Sequence, residues 1–304
     1  MLKKKILVIG GAGFIGYHLT KQLSKKFRLE IVDNLSRGKL DSDLSRLIKY
    51  RNVKFYKKDL SKNIDVNFFA KDYSYIFQFA AIVGVKNVLS SPFEVIEKNL
   101  NIQTNSIKIA LNQSKLKKFL FTSTSEVHLG NVHKNKINFP TQEEDEIVLP
   151  DISQARSTYM LSKIIGEAML YNTNLKFLIF RPNNIFGERM GKSHVIPELT
   201  HKFLTSKKNS SIEINNYNHS RSFCYIDEAV VQMLKLTFSK ISNQAFNIGN
   251  DKNLIKIIEL AKMIKKLTNR PDIKIVKGEF VDNSPKKRLP SLRKIKSLFK
   301  IKIK

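Results

Sequence analysis

The sequence predicts an α/β fold: a doubly wound, Rossmann-type parallel sheet with a smaller C-terminal lobe. Three observations carry this. Short apolar runs alternate with helical patterns through the first half of the chain, which requires crossover connections and hence a parallel sheet. The runs are nearly continuous in apolar residues, as in strands covered on both faces. The first run leads straight into a glycine-rich turn and a helix.

The first strand is Ile6-Leu7-Val8-Ile9, too short for a helix and rich in β-branched residues. Gly10-Gly11-Ala12-Gly13-Phe14-Ile15-Gly16 follows. In this context Gly10 permits a tight turn, Gly13 lets backbone approach a pyrophosphate, and Gly16 lets the helix pack close to the strand. A helix over 14–26 follows, with Ile15, Leu19 and Leu23 on one face, and its free N–H groups bind phosphate. The next strand, Leu29-Glu30-Ile31-Val32, ends in Asp33. A carboxylate there suits ribose hydroxyls and repels a 2′-phosphate, which points to NAD over NADP despite Arg37 and Lys39 close by. Further strands are predicted at 53–56, 75–81 and 118–122, and at 176–180 just before Arg181-Pro182. Helices are predicted over 93–111 and 155–171, and a polar, acidic loop over 134–150. Beyond Gly187 the pattern becomes irregular. The chain therefore divides into a dinucleotide-binding domain at 1–187 and, at 188–304, a mainly substrate-binding lobe with segments returning to the main domain.

The 304 residues provide for a sizeable core. One cysteine, Cys224, excludes an intramolecular disulfide framework and fits a reducing, cytoplasmic setting. No apolar run approaches membrane-spanning length. The Met1-Leu2-Lys3-Lys4-Lys5 start looks like a leader, but its apolar run is short and enters the glycine turn, so it reads as the first strand. The net charge of +28 raises the question of a nucleic-acid partner. The excess is scattered lysine, with abundant Asn and Ile, as an AT-rich genome produces. Solvated surface lysine accounts for it, and nucleic acid is not the expected partner. The tail is the exception. From Lys286-Lys287-Arg288 to Lys304, with Leu292, Ile295, Leu298, Phe299 and Ile301, it fits a basic amphipathic helix that either touches a membrane surface or packs on the domain.

Tyr159 and Lys163 lie four apart on a predicted helix and share a face. An ammonium beside a tyrosine favours the phenolate, which makes Tyr159 a candidate general base. Thr122-Ser123-Thr124-Ser125-Glu126 follows a strand and places hydroxyls at the carboxyl edge of the sheet, where open α/β sheets bind ligands. No metal site is predicted.

At these motifs the chain resembles the extended short-chain dehydrogenases/reductases, specifically the NAD-dependent nucleotide-sugar epimerase/dehydratase family. The resemblance spans about residues 4–298. It rests on the glycine turn, Asp33-Asn34-Leu35, Asp59-Leu60, Phe79-Ala80-Ala81, Ser123-Thr124-Ser125-Glu126-Val127, Tyr159-x-x-x-Lys163, Arg181-Pro182-Asn183-Asn184-Ile185-Phe186-Gly187 and Arg221-Ser222-Phe223-Cys224-Tyr225-Ile226-Asp227. It implies that Gly10, Gly13, Phe14, Ile15, Gly16, Asp33, Asn34, Asp59, Leu60, Phe79, Ala80, Ala81 and Asn99 surround NAD. Tyr159 and Lys163 would contact both cofactor and chemistry. Thr124 would hold the sugar's 4-hydroxyl, and Asn184, Val195, Arg221 and Arg288 the nucleotide diphosphate, arginine suiting phosphate by its planar fork.

The implied reaction is transient oxidation at C4 of a nucleotide-diphosphate sugar, followed by epimerisation, dehydration or decarboxylation, in surface-polysaccharide precursor synthesis. Glu126 resembles the dehydratase and decarboxylase branches, where a carboxylate works at C5 and C6, or else it is a capping carboxylate. The Tyr159-Met160-Leu161-Ser162-Lys163 helix resembles epimerases. Gln78, His128 and Glu188 depart from the family's usual His, Tyr and Pro. The chain ends where relatives usually continue, so part of the lobe's cover is expected to be missing. A homodimer through the two long helices is also implied. The rivals are a simple NAD-dependent reductase and a non-catalytic NAD- or nucleic-acid-binding protein, against which intact Thr124, Tyr159 and Lys163 speak.

Overall fold

A computed structural model describes residues 4–133, 138–280 and 285–301. The start of the leader-like segment, residues 134–137 of the acidic loop and the tail's last three residues lie outside it. Seven parallel strands form one sheet in the order Gln244–Ile248, Phe177–Pro182, Lys118–Thr122, Tyr73–Gln78, Lys5–Ile9, Arg28–Asp33, Val53–Lys57. The first strand shows why the apolar runs are unbroken. Ile6 and Val8 enter one core with Leu19, Leu23, Ala229 and Met233, while Leu7 and Ile9 enter the other with Ile102, Ile109 and Leu170. Successive side chains point to opposite faces, and both faces are covered, so neither set reaches water.

Strand order reverses at Lys5–Ile9, which lies between Arg28–Asp33 and Tyr73–Gln78. A crevice therefore opens at the carboxyl ends of these strands. The predicted strand over 75–81 is displaced: it runs Tyr73–Gln78. Phe79 and Ala80 both donate their backbone N–H to the Ile9 carbonyl, at 2.8 and 3.2 Å, so the chain turns into the crevice instead of extending the ladder. The first helix is also shorter than predicted, Phe14–Leu23, because the Ser24 hydroxyl bonds the Lys21 carbonyl at 2.9 Å and competes with helix continuation. The other long helices are Pro92–Leu111 and Ser157–Tyr171.

Residues after Gly187 serve both the sheet and a second core. Strand Gln244–Ile248 completes the sheet beside Phe177–Pro182, and helix Ile226–Thr237 packs on Phe14–Leu23. Helices Val195–Thr205 and Ile257–Leu267 enclose a separate apolar cluster with strands Ser211–Ile214 and Lys274–Lys277, containing Leu199, Phe203, Ile212, Leu260 and Ile264.

The acidic loop is tied down within its described part. Glu143 accepts the Asn247 backbone N–H at 2.9 Å and thereby caps the sheet's edge strand, and Thr141 exchanges backbone bonds with Leu289 and Ser291. The tail forms a short helix, Arg293–Leu298. Leu292 and Ile295 are fully buried, and Phe299 and Ile301 pack on the same core. Lys296 pairs with Asp251 and Lys294 with Glu144. Leu292, Ile295, Phe299 and Ile301 are therefore spent on the domain, while Leu298 is exposed. Among the described residues, no helix is long and apolar enough to cross a membrane.

Candidate active site

The glycine turn sits at the strand-order reversal. Gly10 has φ +81°, the left-handed region that glycine enters without strain, and a Cβ there would strike the Ala80 backbone. A Cβ on Gly16 would drive into the Gly10 carbonyl oxygen, which is why helix and turn can touch. Gly13 differs: a Cβ there would meet only the Gly10 oxygen, at 3.3 Å, a tight contact rather than a collision. Gly13 is also the helix N-cap. It supplies no side-chain cap, and the first turn, which includes Phe14 and Ile15, holds no acidic residue. The helix thus presents bare N–H groups to the crevice, the arrangement that binds a phosphate.

Asp33 closes the adjoining wall. Its Oδ2 accepts the Ala12 N–H at 3.0 Å and its Oδ1 the Leu35 N–H at 2.8 Å. Burial nonetheless raises its pKa. The Gly13 N–H also hydrogen-bonds this carboxylate, which leaves about one acceptor site for a further donor such as a ribose hydroxyl. Asn34 hydrogen-bonds Asp59, which also accepts the Ser61 N–H and hydroxyl, and Leu60 is buried. Phe79, stacked on Phe77 at 6.0 Å, leads Ala80 and Ala81 along the crevice. Asn99 accepts the Ile82 N–H at 2.7 Å and donates to the Ile82 carbonyl at 3.1 Å, pinning the segment after Ala81. Gln78 does likewise, donating to the Ala80 carbonyl at 2.7 Å. Glycine backbone, free helix N–H groups and an acidic wall together fit NAD. Gly16→Ala is expected to lower NAD affinity at least tenfold and to cost about 1–3 kcal/mol of stability, measurable by calorimetric titration and urea unfolding.

Tyr159, Lys163 and Thr124 meet at the carboxyl end of strand Lys118–Thr122. The Thr124 hydroxyl hydrogen-bonds Tyr159 and caps the following turn by accepting the Glu126 N–H at 3.2 Å. Lys163 Nζ donates to the Thr122 carbonyl at 2.7 Å and lies 6.0 Å from the Tyr159 ring centre. The electrostatics differ from the sequence expectation. Burial, and next the Glu126 carboxylate, raise the Tyr159 pKa, and this outweighs the Thr124 hydrogen bond and the Arg37 charge that lower it. Burial also pulls Lys163 down to about 7. The same dry site that would strengthen an ammonium's pull on the tyrosine thus discourages the ammonium itself.

Behind this group, Arg181 donates to both Glu167 oxygens, at 3.0 and 2.7 Å, and to the Glu143 carbonyl at 2.9 Å. Ser123 also donates to Glu167. The pair is almost wholly buried.

Glu126 is no plain cap. Arg288 Nη2 donates to its Oε1 at 3.0 Å, and Arg156 and Arg221 stand close enough to sense both. Short parallel pairing of Lys287–Arg288 with Ser220–Ser222 sets Arg288 opposite Arg221. Burial, then the neighbouring Arg288 and Arg156, depress Arg221 to about 9. Three guanidiniums thus crowd one carboxylate, an excess of positive charge that an anion would relieve. Sequence reasoning missed Arg156; its place three residues before Tyr159, one helical turn away, was the available signal.

Asn184 and Val195 both make contacts within the chain. Asn184, at φ 41°, donates to Asn183 Oδ1 and the Ser222 carbonyl. Val195 begins the lobe helix and packs against that lobe's core. Residues 187–190 clasp the glycine turn: Glu188 accepts the Tyr225 hydroxyl at 2.7 Å, and Arg189 pairs with Asp41 and reaches the Ala12 carbonyl.

This arrangement has counterparts. The model of the NAD dependent epimerase/dehydratase family matches residues 6–249. A UDP-N-acetyl-alpha-D-glucosaminuronate decarboxylase of Bacillus cytotoxicus is 30% identical over 277 residues, 88% of this chain and 81% of the relative. A dTDP-D-glucose 4,6-dehydratase of Dictyostelium discoideum is also 30% identical, over 86% of this chain and 61% of the relative. A UDP-N-acetylglucosamine 4-epimerase of Methanobrevibacter ruminantium, solved with UDP-N-acetylmuramic acid, superposes with a TM-score of 0.85 at 25% identity, covering 99% of this chain and 94% of that one. With the glycine turn, the Tyr159–Lys163 helix and the parallel sheet in place, the chain belongs to the NAD dependent epimerase/dehydratase family.

Proposed function

We propose that this enzyme converts a nucleotide-diphosphate sugar through a transient 4-keto intermediate, and that its substrate carries a carboxylate at C6 which leaves as carbon dioxide. The observation that carries this reading is the group of Arg156, Arg221 and Arg288 around Glu126, beside Thr124 and Tyr159. Its excess positive charge suits a sugar carboxylate together with a diphosphate.

Bound NAD supplies a hydride acceptor and, once reduced, a hydride donor, so no outside oxidant is required. Tyr159 takes the C4 hydroxyl proton, with Thr124 hydrogen-bonding the same oxygen. The C4 ketone makes the C6 carboxylate part of a β-keto acid. The C5–C6 bond breaks, carbon dioxide departs, and its electron pair enters a C4–C5 enolate. In this reading Glu126, once protonated from solvent, delivers that proton to C5, and Tyr159 returns its proton to O4. The lobe built from Val195–Thr205 and Ile257–Leu267 would hold the nucleotide, and the product would feed surface polysaccharide. Exposed Phe93, Ile165 and Tyr171 on the two long helices support a homodimer formed through them.

Mass spectrometry tests this directly. Purified protein with NAD is incubated with UDP-glucuronate, UDP-N-acetylglucosaminuronate, UDP-glucose and dTDP-glucose. Loss of carbon dioxide from a uronate is expected. Loss of water from a neutral sugar would make the enzyme a dehydratase, an unchanged mass with a shifted chromatographic peak an epimerase, and accumulating NADH a reductase. Glu126→Gln is expected to slow formation of the C5-protonated product by about a hundred- to ten-thousand-fold.

A further inference from the structure

We propose that Arg37 is a cationic clamp for the NAD pyrophosphate, closing on it from the side opposite the glycine turn. The backbone after Asp33 arcs back over that turn. Leu35, at φ 61°, is held by Asp33 Oδ1, Ser36 donates to Asn34 Oδ1 at 2.9 Å, and Gly38 packs so tightly on the Ala12 backbone that a Cβ would not fit. This return carries Arg37 across the crevice. Its Nη2 comes within 3.4 Å of where a side chain on Gly191 would begin, and its charge is felt at both Tyr159 and His194. The guanidinium therefore spans from the glycine-turn wall to the 187–194 loop and the tyrosine. Those walls bound the path a dinucleotide takes between the Asp33 ribose site and Tyr159.

Three other arginines around the crevice are committed. Arg189 pairs with Asp41, Arg288 with Glu126, and Arg181 with Glu167. Among the described residues Arg37 has no hydrogen bond or ion pair, and burial with the Tyr159 interaction are the influences on it. Solvent reaches the side chain, yet enough protein surrounds it to lower its pKa, the condition of a charge inside an open cleft. A cation so placed, facing bare helix N–H groups, is matched by a diphosphate, which its fork can grip through two oxygens. A 2′-phosphate at the Asp33 end is the competing anion for the same residue.

Calorimetric titration of Arg37→Ala and Arg37→Lys with NAD, ADP-ribose, adenosine and NADP tests this on the folded full-length protein, with circular dichroism confirming the fold. Arg37→Ala is expected to weaken NAD and ADP-ribose alike, by about ten- to a hundredfold for one lost charge-assisted bond. Adenosine affinity should not change, and lysine should restore part of the loss. NAD and ADP-ribose affinities unchanged within about twofold would overturn the proposal. So would a loss confined to NADP, which would place Arg37 at the ribose phosphate. Because the readout is binding of the cofactor alone, failure here is separable from failure of the decarboxylase reading.

Discussion

Tyr159→Phe is expected to lower turnover by about a hundred- to ten-thousand-fold while lowering NAD affinity far less. The substitution removes one oxygen, and the ring keeps its place over the helix face it shares with Lys163. A calorimetric NAD titration beside a steady-state assay separates the two effects. A fall of less than about tenfold in turnover would remove Tyr159 from the proton transfer. The pH profile adds a second readout. A base must be ionised to act, so activity rises with pH through the Tyr159 ionisation. The Glu126 carboxylate raises that pKa by opposing a second negative charge. Glu126→Gln should therefore move the acid limb of the residual activity to lower pH. Arg37→Ala should move the limb the other way, because the Arg37 charge lowers the same pKa.

The second large effect is on stability. Glu167→Ala is expected to destabilise the protein by about 3–5 kcal/mol, because it strands the Arg181 guanidinium in a dry interior. Arg181 and Glu167 are both 4% exposed, and the two bonds between them are joined by Ser123 and the Glu143 carbonyl. Replacing both partners by methionine should cost far less, since no unpaired charge is left behind. Urea unfolding of the single and double variants measures the difference. Equal losses in both would mean that packing, not charge pairing, makes this site sensitive. The network lies directly behind Thr122 and Thr124, so Glu167→Ala should also loosen the Lys163–Thr122 contact and depress turnover beyond the loss of folded protein.

The main domain was legible because its signals are local. An unbroken apolar run beside a glycine turn can satisfy its backbone only as a strand covered on both faces, and strands Lys118–Thr122 and Arg28–Asp33 appear where their composition places them. Tyr159 and Lys163 were legible for the same reason, since helical spacing alone puts them on one face. Strand Gln244–Ile248 was not. It is short, it contains Asn247, and it is a strand because it pairs with Phe177–Pro182 and because Glu143 and Thr141 satisfy Asn247 from over a hundred residues away.

The sequence by itself determined the parallel sheet, the dinucleotide turn, the acidic wall at Asp33 and the shared helix face of Tyr159 and Lys163. Each depends on interactions within a few residues or on periodicity, and these survive without knowledge of the rest. Tertiary structure alone decided the electrostatics. Burial sets Tyr159 and Lys163 against the simple expectation that the lysine eases the tyrosine's ionisation. Contacts spanning more than 150 residues turn Glu126 from a capping carboxylate into the partner of Arg288. The arc after Asp33 carries Arg37 across the crevice. Charge interactions depend on distance and on dielectric surroundings, and both are properties of the folded chain rather than of any segment of it.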